Sequence, residues 1–283
     1  MSIETFTSPP ALAPILARAA VMRGSSATEL PQTRLVLVGY EVDRADLREY
    51  QRLTGFPVED RLPHTYPHLL GFGLQAHLMA RPSFPFALVG LVHVENVITA
   101  YRPLTADEKL DITVSADNLR DHPKGRQVDL LTQVHVQGEL VWEGRSTYLS
   151  RGRSNPDADR GSQPPAIPTG YPAAKWRLEG DLGRRYAAVS GDINPIHLYG
   201  ITARAMGFPS AIAHGMWTYA RTLAALGPWV NGATTSHVWF KKPVLLPASV
   251  DLVVDKSGDQ VVAGLRNSRK PATEHLVLTV GRD

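Results

Sequence analysis

The chain has 283 residues, more than one compact core usually takes, so two domains or a duplicated unit is the first expectation. Hydrophobic residues make up 43% and charged residues 20%, which excludes a disordered chain, and the lack of cysteine excludes disulfides, thiolate metal sites and a cysteine nucleophile. The net charge of +3 comes from 30 Lys plus Arg against 27 Asp plus Glu with no block of like charge, so nucleic-acid binding gains little support.

In chain order, ALAPILARAAVM (residues 11–22) is apolar but is interrupted by Pro14 and Arg18. It is too short to span a bilayer, and no cationic segment precedes it. It reads as a short amphipathic helix packed on the body, and a soluble cytoplasmic protein without membrane insertion is expected. LREYQRLTGF reads as a short helix, and HLLGFGLQAHLMAR as a second, stopped by Pro82. Four strand-like runs follow: LVGLVHVENVITAYRPL, KLDITVSA, RQVDLLTQVHVQ and LVWEGRSTYL. In KLDITVSA, Leu110, Ile112 and Val114 alternate with Asp111, Thr113 and Ser115, the pattern of a half-buried strand.

The Pro-, Gly-, Ser- and Asp-rich run after Ser150 reads as a surface linker over 151–170. It separates a first unit, 1–150, from a second, 171–283. The second repeats the order of the first. A short helix over GRRYAAVSG is followed by the loop SGDINPIHLYG. HGMWTYARTLAALG then places Met216, Tyr219, Ala220, Leu223 and Ala224 at helical spacing up to Gly227 and Pro228. Strands are expected in SHVWFKKPV, SVDLVVD, QVVAGLRN and EHLVLTV. YQRLTG echoes YAAVSG, and HVENVITAYRPL echoes HVWFKKPVLLP. Each half is thus a long helix wrapped by an antiparallel sheet, an α+β arrangement occurring twice.

The loop is where chemistry concentrates. Pro195 is excluded from a helix interior, and it pushes Asn194 towards an extended conformation. Asp192 and His197 therefore sit on a stiff loop that can aim both side chains at one point, where they suit a water molecule. Three other readings stay open at this stage. The loop can be a plain turn; Asp192 and His197 can be two metal ligands, with no third at suitable spacing; or Ser190 can be a nucleophile beside His197, without the usual glycine elbow. Gly215 opens the long helix of the second half, where a free N–H can stabilise a developing enolate oxygen. His214 before it reads as a structural hydrogen-bonding residue.

YAAVSGDINPIH followed by GFPSAIAHGM closely resembles the MaoC-like (R)-specific enoyl-thioester hydratases and dehydratases. Asp192, Asn194, Pro195, His197, His214 and Gly215 all match that family's Asp-x-Asn-Pro-x-His and His-Gly pattern. Over the whole chain the resemblance is to the double-hotdog 3-hydroxyacyl-thioester dehydratases of actinobacteria, a group of fatty-acid metabolism. The resemblance implies two fused hotdog units. It implies reversible water addition to a trans-2-enoyl thioester, with Asp192 and His197 handling water and protons. Gly215 would hold the thioester carbonyl, while Asn194, with Pro195 and His214, would shape the loop and the substrate site. It implies no metal and no cofactor beyond the coenzyme A or acyl-carrier-protein arm that carries the substrate. The first half departs from the pattern: TGFPVEDRLPHTYPH has Asp60 and His64 but no Asp-x-Asn-Pro-x-His, so it reads as non-catalytic, with room for a long acyl chain beside the small residues of HLLGFGLQAH. Lys241 and Lys242, with Arg266, Arg269 and Lys270, are candidates for the carrier's phosphates. The competing functions are a hotdog acyl-thioesterase and a non-catalytic acyl-thioester-binding subunit. The fused pair satisfies the pairing that single hotdogs need, so a monomer is expected, or a homodimer of such pseudodimers.

Overall fold

The computed structural model describes residues 2–21, 27–88, 90–152, 155–256 and 260–282. The strands and helices run in the order β1 (Ser2–Phe6), α1 (Leu12–Val21), β2 (Thr33–Tyr40), α2 (Arg44–Thr54), α3 (Tyr66–Met79), β3 (Leu91–Ala100), β4 (Leu110–His122), β5 (Gly125–Val136) and β6 (Glu139–Arg151) in the first half. The second half has β7 (Ala174–Leu178), α4 (Leu182–Ser190), α5 (Pro195–Leu198), α6 (Gly200–Ala205), α7 (Gly215–Leu226), β8 (Thr234–Phe240), β9 (Ala248–Asp255), β10 (Gln260–Asn267) and β11 (Glu274–Arg282). Among the described residues no helix is long and apolar enough to cross a membrane.

All strands join one eleven-stranded sheet in the order β1-β2-β4-β5-β6-β3-β8-β11-β10-β9-β7. Read outwards from the centre, β3-β6-β5-β4-β2 is repeated by β8-β11-β10-β9-β7, so the two halves are related by a pseudo-twofold axis between β3 and β8. There the halves pair antiparallel, with Val97 opposite His237 and Ile98 opposite Ser236. The fold is the double hotdog. β1 lies outside the repeat and runs parallel to β2, an exception to the antiparallel expectation.

The long helices sit in the curl of the sheet because both sides of the contact are apolar. Leu74 and Leu78 of α3, Leu35 and Leu37 of β2, Ile112 and Val114 of β4, and Leu130 of β5 are all fully buried. Each such side chain contributes roughly 1.5–3 kcal/mol. Around α7 the same role falls to Tyr219, Leu223, Val250, Leu265 and Leu278. The alternation expected in β4 is present, with Leu110, Ile112 and Val114 buried and Asp111 and Thr113 half-buried.

The echo between YQRLTG and YAAVSG is a true structural repeat. α2 and α4 both end at a glycine in the left-handed region, Gly55 at φ +83° and Gly191 at φ +72°. Tyr50 and Tyr186 face each other across the halves with ring centroids 6.3 Å apart. The second echo is offset. Isolated bridges join Arg61 to Thr105 and Ile212 to Leu245, which aligns Pro103 with Pro243 and Val97, not His93, with His237.

Residues 155–173 contain neither helix nor strand, and they cross the outer face of the sheet. Ser162 Oγ donates to Glu95 Oε2 at 2.8 Å and accepts from Trp239 Nε1 at 2.9 Å. Ile167 lies where Gly264 lacks a side chain, since a Cβ there would come within 2.0 Å of its Cγ1.

Candidate active site

The loop after α4 is built from local bonds that its sequence supplies. Asp192 N donates to Ser190 Oγ at 3.2 Å, and Asn194 N donates to Asp192 Oδ1 at 3.2 Å. Ser190 Oγ accepts from the Asp192 amide, and among the described residues no hydrogen bond joins it to His197, whose Nδ1 is turned to the Ile212 carbonyl. The expectation of a non-helical loop is met only up to Asn194. From Pro195 the chain makes one helical turn, α5, with Pro195 first in the helix and the Asn194 side chain capping the Ile196 amide. Proline is tolerated there because a first-turn N–H has no intrahelical acceptor.

That turn carries His197 into the protein, where it is 8% exposed. α4 packs directly on its backbone: a Cβ on Gly183 would lie 1.9 Å from the His197 carbonyl oxygen. Arg184 Nη1 donates to the Leu198 carbonyl at 2.9 Å and closes the far end of the turn. His197 Nδ1 donates to the Ile212 carbonyl at 2.8 Å, so Nε2 carries the free lone pair. Burial holds the His197 pKa below its ordinary value, while the Asp192 carboxylate and the Ile212 carbonyl pull in the other direction.

His214, just before α7, stacks on His197 with ring centroids 3.7 Å apart and also meets the Tyr186 ring at 4.9 Å. Its Nε2 donates to the Asp192 backbone carbonyl at 3.0 Å, and its Nδ1 is buried without a partner. Burial, with His197 beside it, pushes its pKa well down, so the ring is a neutral brace for the loop. Gly215 follows as the first residue of α7, and its Cα faces the Phe240 ring so closely that a Cβ would lie 3.1 Å from it. The N–H at this position has no intrahelical acceptor and stands at the positive end of the helix.

Asp192, His197 and His214 therefore meet, with one ligand atom of each within 4.8 Å of the others. The fold brings in from 22 positions away the third donor that the sequence spacing did not show. Their arrangement fits proton transfer better than metal binding. An ion lies in the plane of an imidazole that ligates it, about 2.0 Å from the nitrogen, and two rings stacked at 3.7 Å and 26° do not share such a point.

The first half presents a different picture at the corresponding place. Counting from the two bridges, Pro63 and His64 stand where the second half has His214 and Gly215. Asp60 is mostly exposed and paired with Arg44, whereas His64 is buried with Nε2 at 2.7 Å from Ser236 Oγ, so Asp60 and His64 form no pair. The glycines of α3 are filled by neighbours: a Cβ on Gly71 would meet Thr132 Cγ2 at 2.7 Å, and one on Gly73 the Pro10 carbonyl at 3.1 Å. The expected room for a long chain is therefore not found at these two glycines.

Of the cations, Lys241 is ion-paired with Glu274, and Arg266 donates to the Gly170 carbonyl. Lys242 is exposed, two residues before Val244, whose carbonyl accepts from Ala213 beside the site. The sequence reading did not pick out His68, His93, Asn96, Ser146 and Tyr148. They form a buried or half-buried polar cluster of the first half, next to Phe240. Their signal was a polar residue at a buried position of an otherwise apolar element, as with His68 in HLLGFGLQAHLM.

A hotdog helix opened by His-Gly, facing an Asp-x-Asn-Pro-x-His loop, defines the class: the chain belongs to the family of MaoC-like dehydratases. The MaoC like domain profile matches residues 170–276, the half that holds the stacked histidines. Among its relatives, 3-hydroxyacyl-thioester dehydratase X of Mycobacterium tuberculosis is 38% identical over 255 residues, covering 89% of this chain and 90% of that protein. The crystal structure of HtdX from the same organism superposes with a TM-score of 0.78 at 37% identity, over 88% of this chain and all of that one. Peroxisomal enoyl-CoA hydratase 2 of Arabidopsis thaliana is 28% identical over 202 residues, or 65% of this chain and 64% of that protein.

Proposed function

We propose that the protein is a hydro-lyase of fatty-acid metabolism that adds water reversibly to trans-2-enoyl thioesters and forms (R)-3-hydroxyacyl thioesters. The meeting of Asp192 and His197 with the N-terminus of α7 carries this reading. A water molecule held by the Asp192 carboxylate and His197 Nε2 gives up a proton to the pair as its oxygen bonds to C3. The π electrons shift towards the thioester carbonyl, whose developing negative charge faces the Gly215 N–H. The proton held by the pair is then delivered to C2, so one water is added in all, and dehydration runs the same steps backwards. The reading uses no metal and no redox cofactor. The relatives named as 3-hydroxyacyl-thioester dehydratase and enoyl-CoA hydratase support it.

In this reading residues 1–150 form a non-catalytic hotdog, 151–170 a strap, and 171–283 the catalytic unit. The pairing of β3 with β8 supplies within one chain the contact that two separate hotdogs would make, which supports a pseudodimer acting as a monomer or as a homodimer of such pseudodimers, and we place it in the cytoplasm. The test is the fall in enoyl-thioester absorbance when purified protein meets crotonyl- or dodecenoyl-coenzyme A, with the product resolved for chirality. Release of free thiol instead would indicate a thioesterase, and binding without turnover a carrier subunit.

Lys242 is the cation best placed for the carrier's phosphates, because Lys241 is engaged by Glu274. Lys242→Ala is expected to raise KM for coenzyme A thioesters about fivefold with kcat unchanged, the signature of lost ground-state binding. Lys241→Ala should change KM less. Steady-state kinetics on crotonyl-coenzyme A check this, and an unchanged KM for Lys242→Ala would remove Lys242 from the substrate site.

A further inference from the structure

We propose that Asn96, Ser146 and His68 of the first half form a subsite that holds the oxygen exchanged between water and the C3 hydroxyl. The proposal rests on the hydratase reading and adds a second wall to its site.

The pseudo-twofold axis supplies the argument. Counting from the two bridges, His64 is the counterpart of Gly215, Ser236 of Asn96, and Tyr219 of His68. In the first half the His64 ring fills the place at its helix start and reaches across the axis: its Nε2 lies 2.7 Å from Ser236 Oγ, and Ser236 also bonds the Tyr219 hydroxyl. In the second half Gly215 has no side chain to fill the corresponding place. The groups that would receive such a side chain are present, and one is left waiting: Asn96 Oδ1 is fully buried and has no partner. A buried amide oxygen left unpaired costs about 1–3 kcal/mol, so an arriving donor is favoured there.

The neighbours are ordered to receive it. Asn96 Nδ2 donates to Ser146 Oγ at 2.9 Å, and Ser146 Oγ lies 3.5 Å from His68 Nδ1. With Ser146 accepting from Asn96, its hydroxyl proton points to His68 Nδ1, which leaves Nε2–H of His68 to donate. The cluster connects to the helix start through ring contacts. His68 stacks near His93 at 6.0 Å, His93 meets Phe240 at 5.0 Å, and Phe240 covers Gly215. The Asp192 charge acts on His68 and on Tyr148, as expected if this wall lies across the site from the catalytic loop. One donor, His68 Nε2–H, and one acceptor, Asn96 Oδ1, suit a hydroxyl or a water, which both accepts and donates.

The test combines kinetics with binding. His68→Phe and Asn96→Ala are expected to lower kcat on crotonyl-coenzyme A by on the order of tenfold or more with KM little changed. His68→Gln, which keeps an N–H near the same place, should recover most of the rate, and Ser146→Ala should fall between. Calorimetry should show wild type binding (R)-3-hydroxybutyryl-coenzyme A more tightly than butyryl-coenzyme A, and His68→Phe should lose that preference. Thermal melts identify any variant that is merely unfolded. If wild type turns over neither enoyl thioester yet prefers the hydroxylated ligand through His68, the subsite stands and the hydratase reading falls. If the variants keep both kcat and the preference, or if their defect grows steadily from C4 to C12 chains, the subsite is overturned, the latter result placing these residues along the acyl chain.

Discussion

Asp192→Asn is expected to lower kcat for crotonyl-coenzyme A hydration by roughly a thousandfold, within the range that acid–base catalysis contributes. The substitution is close to isosteric. The new amide oxygen can still accept from the Asn194 amide, as Asp192 Oδ1 does at 3.2 Å, and the backbone carbonyl that receives His214 Nε2 is untouched. The loop should therefore keep its shape and the variant its melting temperature, so the lost rate reports the lost charge. His197→Ala should cost as much in rate but also in stability, because it leaves the Ile212 carbonyl without its 2.8 Å donor inside the protein, at about 1–3 kcal/mol. The two residues act on one water, so the double variant should be scarcely slower than either single one. Stopped-flow absorbance at saturating substrate, beside thermal melts, measures all three. Asp192→Asn retaining more than a tenth of the wild-type rate would move the chemistry elsewhere.

Much of this site was legible because its signals are local. Asn194 next to Pro195 marks a stiff turn, and His214 followed by Gly215 marks a helix start, so the sequence points to the loop and to α7 without any distant contact. The same Asn-Pro pair is also a helix-start signal, with a capping side chain followed by a first-turn proline. Reading it only as a breaker hid the turn that turns His197 inwards. The strands with clean alternation, such as β4, were visible. β1 and β7 were not: each has five residues at a sheet edge, with too few buried positions to set a period. The part of the site drawn from the first half could not be read from spacing at all. His68, Asn96 and Ser146 come from α3, β3 and β6, and Ser146 is separated from His68 by 78 positions. Only the closure of the sheet around the pseudo-twofold axis brings them beside Phe240.

That closure also buries histidines in the neutral state, and the consequence is a steep loss of stability in mild acid. Burial pushes His64 and His68 down to about 4 and His93 to about 3, and it lowers His197 and His214 as well. An unfolded histidine takes up its proton near pH 6.5, so below that value the unfolded state binds protons that the folded state refuses. Stability is thus fully present above about pH 6.5 and declines as the pH falls towards the folded values. His64, His68 and His93 each remove roughly 2 kcal/mol by pH 5, on the order of 6 kcal/mol for the three. Domains are usually stable by only about 5–15 kcal/mol, so this loss is enough to bring the protein close to unfolding. Carboxylates do not explain a decline in this window. Glu95, held near 2 by His237, Ser162 and Arg145 against the opposing effect of burial, loses its contribution only below the ordinary carboxylate range. Thermal melts from pH 7.5 to 5.0 should show the melting temperature nearly constant at first, then falling steeply below about pH 6.5. His64 lies in the first half, so replacing it by Gln, which can still bond Ser236, should make the decline shallower without touching the catalytic loop. A melting temperature that stays flat down to pH 5 would mean that these rings are hydrated and take up protons in the folded state, which overturns the prediction.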